Sequence, residues 1–196
     1  MAASTKGFLP EDEAEALHAA AVGATGPFLE VGSYCGKSAV WLGAAARRRG
    51  TVLFTVDHHR GSEENQPGWE WHDPDLVDPA TGRIDSLPFL RRTLAEADLE
   101  DVVVPVVGPS AVVGGAWATP LGFLFIDGGH GADVVADDEA AWLPHVRSGG
   151  LLAIHDVFPD PADGGRPPYE LYRRCLASGR WCDESATGSL RILRRL

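Results

Sequence analysis

Short, continuous apolar runs, separated by helix-patterned stretches, most constrain what this chain can fold into. The runs are PFLEVGS (27–33), TVLFTVD (51–57), DVVVPVVG (101–108), LGFLFIDGG (121–129), GGLLAIHDV (149–157) and GSLRILRR (188–195). Residues 36–49, 87–100, 132–146 and 169–179 read as helices between them, 109–117 as a short helix or loop, and 10–22 as a short helix ahead of the first run. Pro10 and the acids after it suit that helix's start; Arg47, Arg48 and Arg49 suit the last turn of the next one, with Gly50 just past it. Continuous apolar strands alternating with helices demand a parallel sheet covered on both faces. The 196 residues suit one such α/β domain, and no internal repeat or linker divides them. Pro105 places its strand at an edge or at an interruption. Right-handed crossovers set the strand C-terminal ends on one edge, where ligands bind near the switch in strand order.

Composition removes several classes. The net charge of −11 disfavours nucleic acid and anionic membrane surfaces, since both reward Lys and Arg. Cys35, Cys175 and Cys182 are too few and too scattered for a disulfide framework and form no CxxC pair. A reducing cytoplasm is the simplest home. Residues 1–20 lack an apolar signal core, and no run approaches the ~18 apolar residues of a membrane span.

The segment FLEVGSYCGKSAVWL (28–42) contains Gly-Lys-Ser, like a phosphate-binding loop. That motif has one more residue between its glycines than the Ser33, Tyr34 and Cys35 that separate Gly32 from Gly36. A glycine turn still lets backbone approach a ligand, and the free N–H groups of the next helix suit a carboxylate or phosphate. The blander alternative is a turn that only packs helix on strand. Asp57, about twenty residues further on at a strand end, can accept from both ribose hydroxyls, or can merely cap its loop. The short loop and Asp57 together point to a nucleoside without a phosphate chain.

FIDGGH and AIHD bring Asp127, His130, His155 and Asp156 to the same edge. On neighbouring strands about 4.8 Å apart, two carboxylates repel unless a cation or proton intervenes. Mg2+ meets that need with oxygens and retained waters, and a His155 nitrogen suits Mn2+ or Zn2+ better. The alternative is a hydrogen-bonded Asp–His pair with no metal. His130 and His155 are also candidate general bases, since imidazole titrates near neutrality. His18 and His145 read as structural or surface residues, while His58, His59 and His72 flank residues 58–85. That long segment has no clean period and is rich in Pro, Gly, acids, His and Trp, which marks a functional loop. Trp69 and Trp71 can stack on a sugar face or an aromatic ring, and His59, Glu63, Glu64 and Asn65 can bond hydroxyls. The alternative is that both Trp only anchor the loop or an oligomer contact.

Taken together, FLEVGSYCGKSAVWL (28–42), LFTVD (53–57), VVGPSAVV (106–113), residues 123–157 and GSLRIL (188–193) resemble the class I S-adenosylmethionine-dependent methyltransferases. The similarity is greatest to the small O-methyltransferase-like branch with a FIDGDHSYEGV…D…W…L…PGG…HD pattern. It implies a Rossmann-like, doubly wound α/β fold. The sheet would have seven mostly parallel strands with an antiparallel last strand, in one domain over 1–196, with 58–85 inserted to cover the substrate. It implies that Glu30, Gly32, Ser33, Tyr34, Gly36 and Ser38 surround the methionine part of S-adenosylmethionine, with Asp127 alongside. Asp57 would hold the ribose, and His58 and Ser110 would lie near the adenine. Pro109 stands where the usual GDS segment has Asp, leaving the adenine amine to a backbone oxygen or another group. Gly129 removes the second acid of DGDH.

Metal-dependent relatives in this group bind a divalent ion between an acid after the fourth strand and an acidic pair after the fifth. Asp127 and Asp156 match that set, and His155 stands where a second acid often lies, so Mg2+ (or Mn2+) is expected. The implied reaction is O-methyl transfer, and the mixture of Trp and carboxylates in 58–85 favours as acceptor a hydroxyl of a sugar, oligosaccharide or glycosylated metabolite. The alternatives are a phenol- or catechol-type acceptor, or a non-catalytic cofactor-binding protein. A homodimer is expected, because relatives commonly pair.

Overall fold

The computed structural model describes residues 5–196; residues 1–4, part of the stretch read as lacking a signal core, lie outside the described residues. The apolar runs become β1 (Phe28–Val31), β2 (Leu53–Asp57), β5 (Val103–Val107), β6 (Leu121–Ile126), β7 (Val146–Ile154) and β9 (Leu190–Arg195). Together with β8 (Trp181–Thr187) they form one seven-stranded sheet in the order β5-β2-β1-β6-β7-β9-β8. Strands β5 to β7 in that order are parallel, and β9 runs antiparallel to both of its neighbours. Strand order reverses between β1 and β6, the switch at which open α/β sheets bind ligands. Pro105 lies in β5, the sheet's edge, where a missing N–H costs no ladder bond.

Alternate residues feed two cores. Phe28, Phe123, Phe125, Leu151 and Ala153 face α1 (Glu11–Gly23), α2 (Lys37–Arg49) and α3 (Leu87–Glu96). Leu29, Leu124, Ile126, Leu152 and Ile154 face α4 (Ser110–Gly115), α5 (Ala132–Trp142) and α6 (Pro167–Ala177). Helix α2 ends at Gly50 in the left-handed conformation, with Arg47 to Arg49 in its last turn. Among the described residues, no helix is long and apolar enough to cross a membrane.

Residues 58–85 are more ordered than their lack of period implies. They hold two 3-10 turns, at Glu63–Asn65 and Pro74–Leu76, and a hairpin of β3 (Val77–Asp78) with β4 (Arg83–Ile84). Leu76 and Ile84 bury against Cys35 in a small third core. Elements of two or three residues are too short to leave a period in the sequence.

One carboxyl lies inside the sheet core. Glu30 of β1 is fully buried; its Oε2 accepts from Thr55 Oγ1 at 2.7 Å, while Oε1 takes no hydrogen bond among the described residues. Burial pushes its pKa up to about 7, against the pull of the Ser38 and Thr55 hydroxyls. The folded protein therefore holds this proton more tightly than the unfolded chain does, so stability falls as pH rises from 4.5 to about 7. Glu30→Gln should remove that part of the decline, read as the urea unfolding midpoint against pH; parallel curves for the two proteins would refute it. At Gly122 an added Cβ would lie 1.4 Å from the Thr25 carbonyl oxygen. Gly122→Ala should cost about 3 kcal/mol or more by the same measurement, since the backbone must shift.

Candidate active site

The strand ends open into a cavity of about 950 Å³, large enough for a nucleoside-sized ligand together with a second small molecule. Its floor begins at the β1–α2 turn. Gly32 has φ +89°, and a Cβ there would lie 2.1 Å from the Asp127 carbonyl oxygen, so only glycine fits. Gly36, φ +93°, caps α2 with no side-chain bond, leaving the helix's first N–H groups without a side-chain cap. Tyr34 is left-handed as well, at φ +46°.

Asp57 first organises this turn. Its Oδ2 accepts from the backbone N–H of Ser33 (3.0 Å) and Tyr34 (2.9 Å), and Oδ1 from that of His59 (2.7 Å). A carboxylate has about four acceptor positions, so little capacity is left for a ligand on the cavity side. Ser33 Oγ pairs with Thr55 Oγ1, which in turn holds Glu30.

Beyond β6 and β7 lies a chain of alternating carboxylates and imidazoles. His155 Nδ1 lies 2.9 Å from Asp127 Oδ1 and 3.2 Å from Asp156 Oδ2. Its Nε2 lies 2.8 Å from Glu13 Oε2, an ion-pair contact without hydrogen-bond alignment. Glu13 is fixed by Ser189, whose N–H donates at 2.6 Å and whose hydroxyl donates at 3.1 Å. Asp156 Oδ2 also meets His130 Nε2 at 2.9 Å, and His130 Nδ1 lies 3.3 Å from Glu64 Oε2. Asp156 adopts φ +55°, a conformation Asp tolerates better than most residues.

Charge follows from these contacts. Burial opposes protonation of His155, but Asp127, Asp156 and Glu13 outweigh it and push its pKa up to about 12. Burial likewise opposes ionisation of Asp156, yet His130 and His155 hold its pKa well below the carboxylate range. The Asp156 hydrogen bond raises the His130 pKa against burial, with Glu64 and Asp127 assisting. The two candidate bases therefore separate. His155, surrounded by carboxylates and 4% exposed, is held towards the protonated form, which works against taking a proton from an acceptor. His130, half-buried on the cavity wall, keeps that capacity.

Among the other expected site residues, Gly32, Ser33, Tyr34, Ser38, Asp57 and His58 line the cavity. Ser110, Asp127 and Asp156 line it further along, and Glu64, Asn65 and Trp71 reach it from the 58–85 segment. Five do not line it. Glu30 and Gly36 lie behind the turn, and Glu63 and Trp69 are exposed elsewhere, Trp69 by 52%. His59 turns inward at φ +58°, buried, with Nδ1 2.8 Å from Ser86 Oγ.

Two contributors carry no motif. Glu13 shares the i, i+4, i+8 face of α1 with buried Leu17 and Ala21, which is its only sequence signal. The segment before α1 forms part of the cavity's roof. Lys6 Nζ bonds Asp73 (2.6 Å) and Asp75 (2.8 Å), and Phe8 packs on Tyr34 and Trp71 at ring separations of 5.4 and 5.1 Å.

Solved structures similar to this one include methyltransferases. The O-methyltransferase NovP matches with a TM-score of 0.70 and 17% identity, over 94% of this chain and 79% of NovP. The O-methyltransferase TomG from Streptomyces achromogenes, in complex with SAM, matches with a TM-score of 0.65 and 15% identity, over 96% and 81%. The calicheamicin methyltransferase CalS11 matches with a TM-score of 0.66 and 17% identity, over 95% and 81%. Residues 29–157, more than half of the chain, match the family described as "Methyltransferase domain". On that match, with the strand order and the site already described, the chain belongs to the methyltransferase-domain family.

Proposed function

We propose that the protein transfers the methyl group of S-adenosylmethionine to a hydroxyl of a sugar, oligosaccharide or glycosylated metabolite. The observation that carries this reading is the meeting, in one cavity, of the glycine turn after β1 with the Asp127/His130/His155/Asp156 cluster. Similarity to O-methyltransferases, one of them in complex with SAM, supports the cofactor and the class of acceptor atom. The amino-acid end would lie over Gly32 to Ser38, where backbone approaches closely and α2 presents free N–H groups. Asp57 would meet the ribose with its remaining acceptor position.

Asp127, His155 and Asp156 would hold a divalent cation such as Mg2+ or Mn2+. The donor set fits: one ligand atom from each lies within 4.8 Å of the others. Glu13 lies 2.8 Å from Nε2, where it would support a neutral, metal-bound imidazole whose Nδ1 faces the two carboxylates. Such an ion lowers the pKa of a bound hydroxyl and fixes its direction. With Nε2–H donated to Asp156, His130 would offer Nδ1 as proton acceptor once Glu64, 3.3 Å from that nitrogen, turns to the acceptor's hydroxyls. His130 would then take the hydroxyl proton as the acceptor oxygen bonds the methyl carbon and the carbon–sulfur bond breaks.

Trp71, Phe8 and Tyr34 would stack on a sugar face, with Glu64 and Asn65 bonding its hydroxyls. The same aromatic row supports the second reading, a phenol- or catechol-type acceptor, and methyl transfer to sugar and catechol panels separates the two. Three free cysteines suit a reducing cytoplasm, and a homodimer is part of the proposal.

Calorimetric titration with Mn2+ should show binding to the wild type and a loss of at least tenfold in affinity for Asp127→Asn; no binding to either overturns the metal assignment. His130→Gln should lower kcat about 100-fold or more while S-adenosylhomocysteine binding is unchanged. Because the base must be neutral and its pKa is raised, activity should rise with increasing pH along an acid limb centred above pH 6.5. An unchanged kcat in the variant would remove His130 from the chemistry.

A further inference from the structure

Asp138 of α5 is 2% exposed yet belongs to the cavity wall. One of its oxygens is already committed. Trp142 Nε1 donates to Ser110 Oγ at 2.7 Å, and Ser110 spends its own proton on Asp138 Oδ1. Trp142 is fully buried, so this string of three side chains is rigidly held. The second oxygen, Oδ2, accepts no hydrogen bond among the described residues. It lies at the turn after β6, 3.0 Å from where a Cβ on Gly128 would be. Unlike Glu30 Oε1, it is not sealed from the cavity, so a donor entering there can reach it, and burial raises the Asp138 pKa to about 6. The side chain is therefore fixed and nearly enclosed, with one oxygen open to a donor from the cavity.

Its neighbours limit the donor's chemistry. Pro109 and Ala111, which flank Ser110, and Val134, one turn before Asp138 on α5, line the same cavity. These are flat or apolar surfaces suited to a planar ring, and Pro109 offers neither an N–H nor a side-chain acceptor. Asp57 pairs with Val107 of the adjacent strand, so this wall is the next surface beyond the position given to the ribose. Asp137 also reaches the cavity but is solvent-exposed, so its carboxylate is not short of partners.

We propose that Asp138 Oδ2 reads the 6-amino group of the cofactor's adenine, replacing from α5 the acid that Pro109 does not supply. The inference rests on S-adenosylmethionine being the cofactor. Ser110 is then a positioning residue: by holding Oδ1 it aims Oδ2. The site takes a purine bearing an exocyclic amine and discriminates against one without it.

The test compares S-adenosylhomocysteine with its analogue carrying hydrogen in place of the 6-amino group. Affinities for wild type and Asp138→Asn are measured by calorimetry, with thermal unfolding as a check on fold. Ser110 fixes the Asn oxygen as its acceptor, so the new amide presents a donor to the amine. Wild type should prefer S-adenosylhomocysteine tenfold or more, and the variant should bind the two ligands within about threefold of each other. Should the Asn variant unfold, Asp138→Ala is read in the same way. A variant that keeps the wild-type preference, or weakens both ligands equally, overturns the role of Asp138 alone. Wild type that binds neither ligand overturns the cofactor reading, and this inference with it.

Discussion

The ends of β1 and β6 pass so close together that nothing larger than a hydrogen atom fits between Gly32 and the Asp127 carbonyl. That approach sets the rest of the site. It presses the glycine turn against the turn carrying Asp127 to His130, at the point where the strand order reverses. Asp57 then draws the same turn towards β2 through two backbone N–H groups. Three strand ends are locked into one surface before any ligand is considered, and the cavity is the space that these locked ends leave open.

The second organising feature is electrostatic. Four carboxylates, from Glu13, Glu64, Asp127 and Asp156, surround two imidazoles in an unbroken series of contacts. Left together, the acids would repel; His155 compensates them from inside. The same convergence makes the cluster a candidate cation site, since a nitrogen held between carboxylates occupies a place that positive charge favours. His130, at the open end of the series, is left to face the cavity. Position within the series, more than residue type, divides the roles of two chemically identical side chains.

The parts of the fold legible in the sequence are those where burial on both faces forces a continuous apolar run. β1, β2, β6 and β7 are such strands, and their C-terminal motifs gave most of the site. β8 was not legible: in WCDESAT only Trp181 is buried, so an edge strand lined by solvent left no apolar signature. Residues 58–85 read as one loop because their hairpin and turns are shorter than any period. Within that segment, which side chains face the cavity depends on backbone turns that composition does not encode. His58 and Trp71 line the cavity while their neighbours His59 and Trp69 do not, and the left-handed φ of His59 is what turns it inward. Glu13 and Asp138 had no motif because an acid on a helix reads as a solvated face until tertiary packing encloses it.

Glu13 has a further consequence, one of timing. It stands near the start of the chain, and its partner Ser189 follows 176 positions later. His155, between them in sequence, is held from behind only once both have met. During synthesis, which proceeds from the N-terminus, the glycine turn, Asp57 and Asp127 can all be in place while the last hairpin is still inside the ribosome. The carboxylate that steadies His155 gains its own support only when β8 and β9 emerge. A chain stopped shortly before Ser189 could carry nearly every residue of the site and still lack the contact that fixes the carboxylate behind His155.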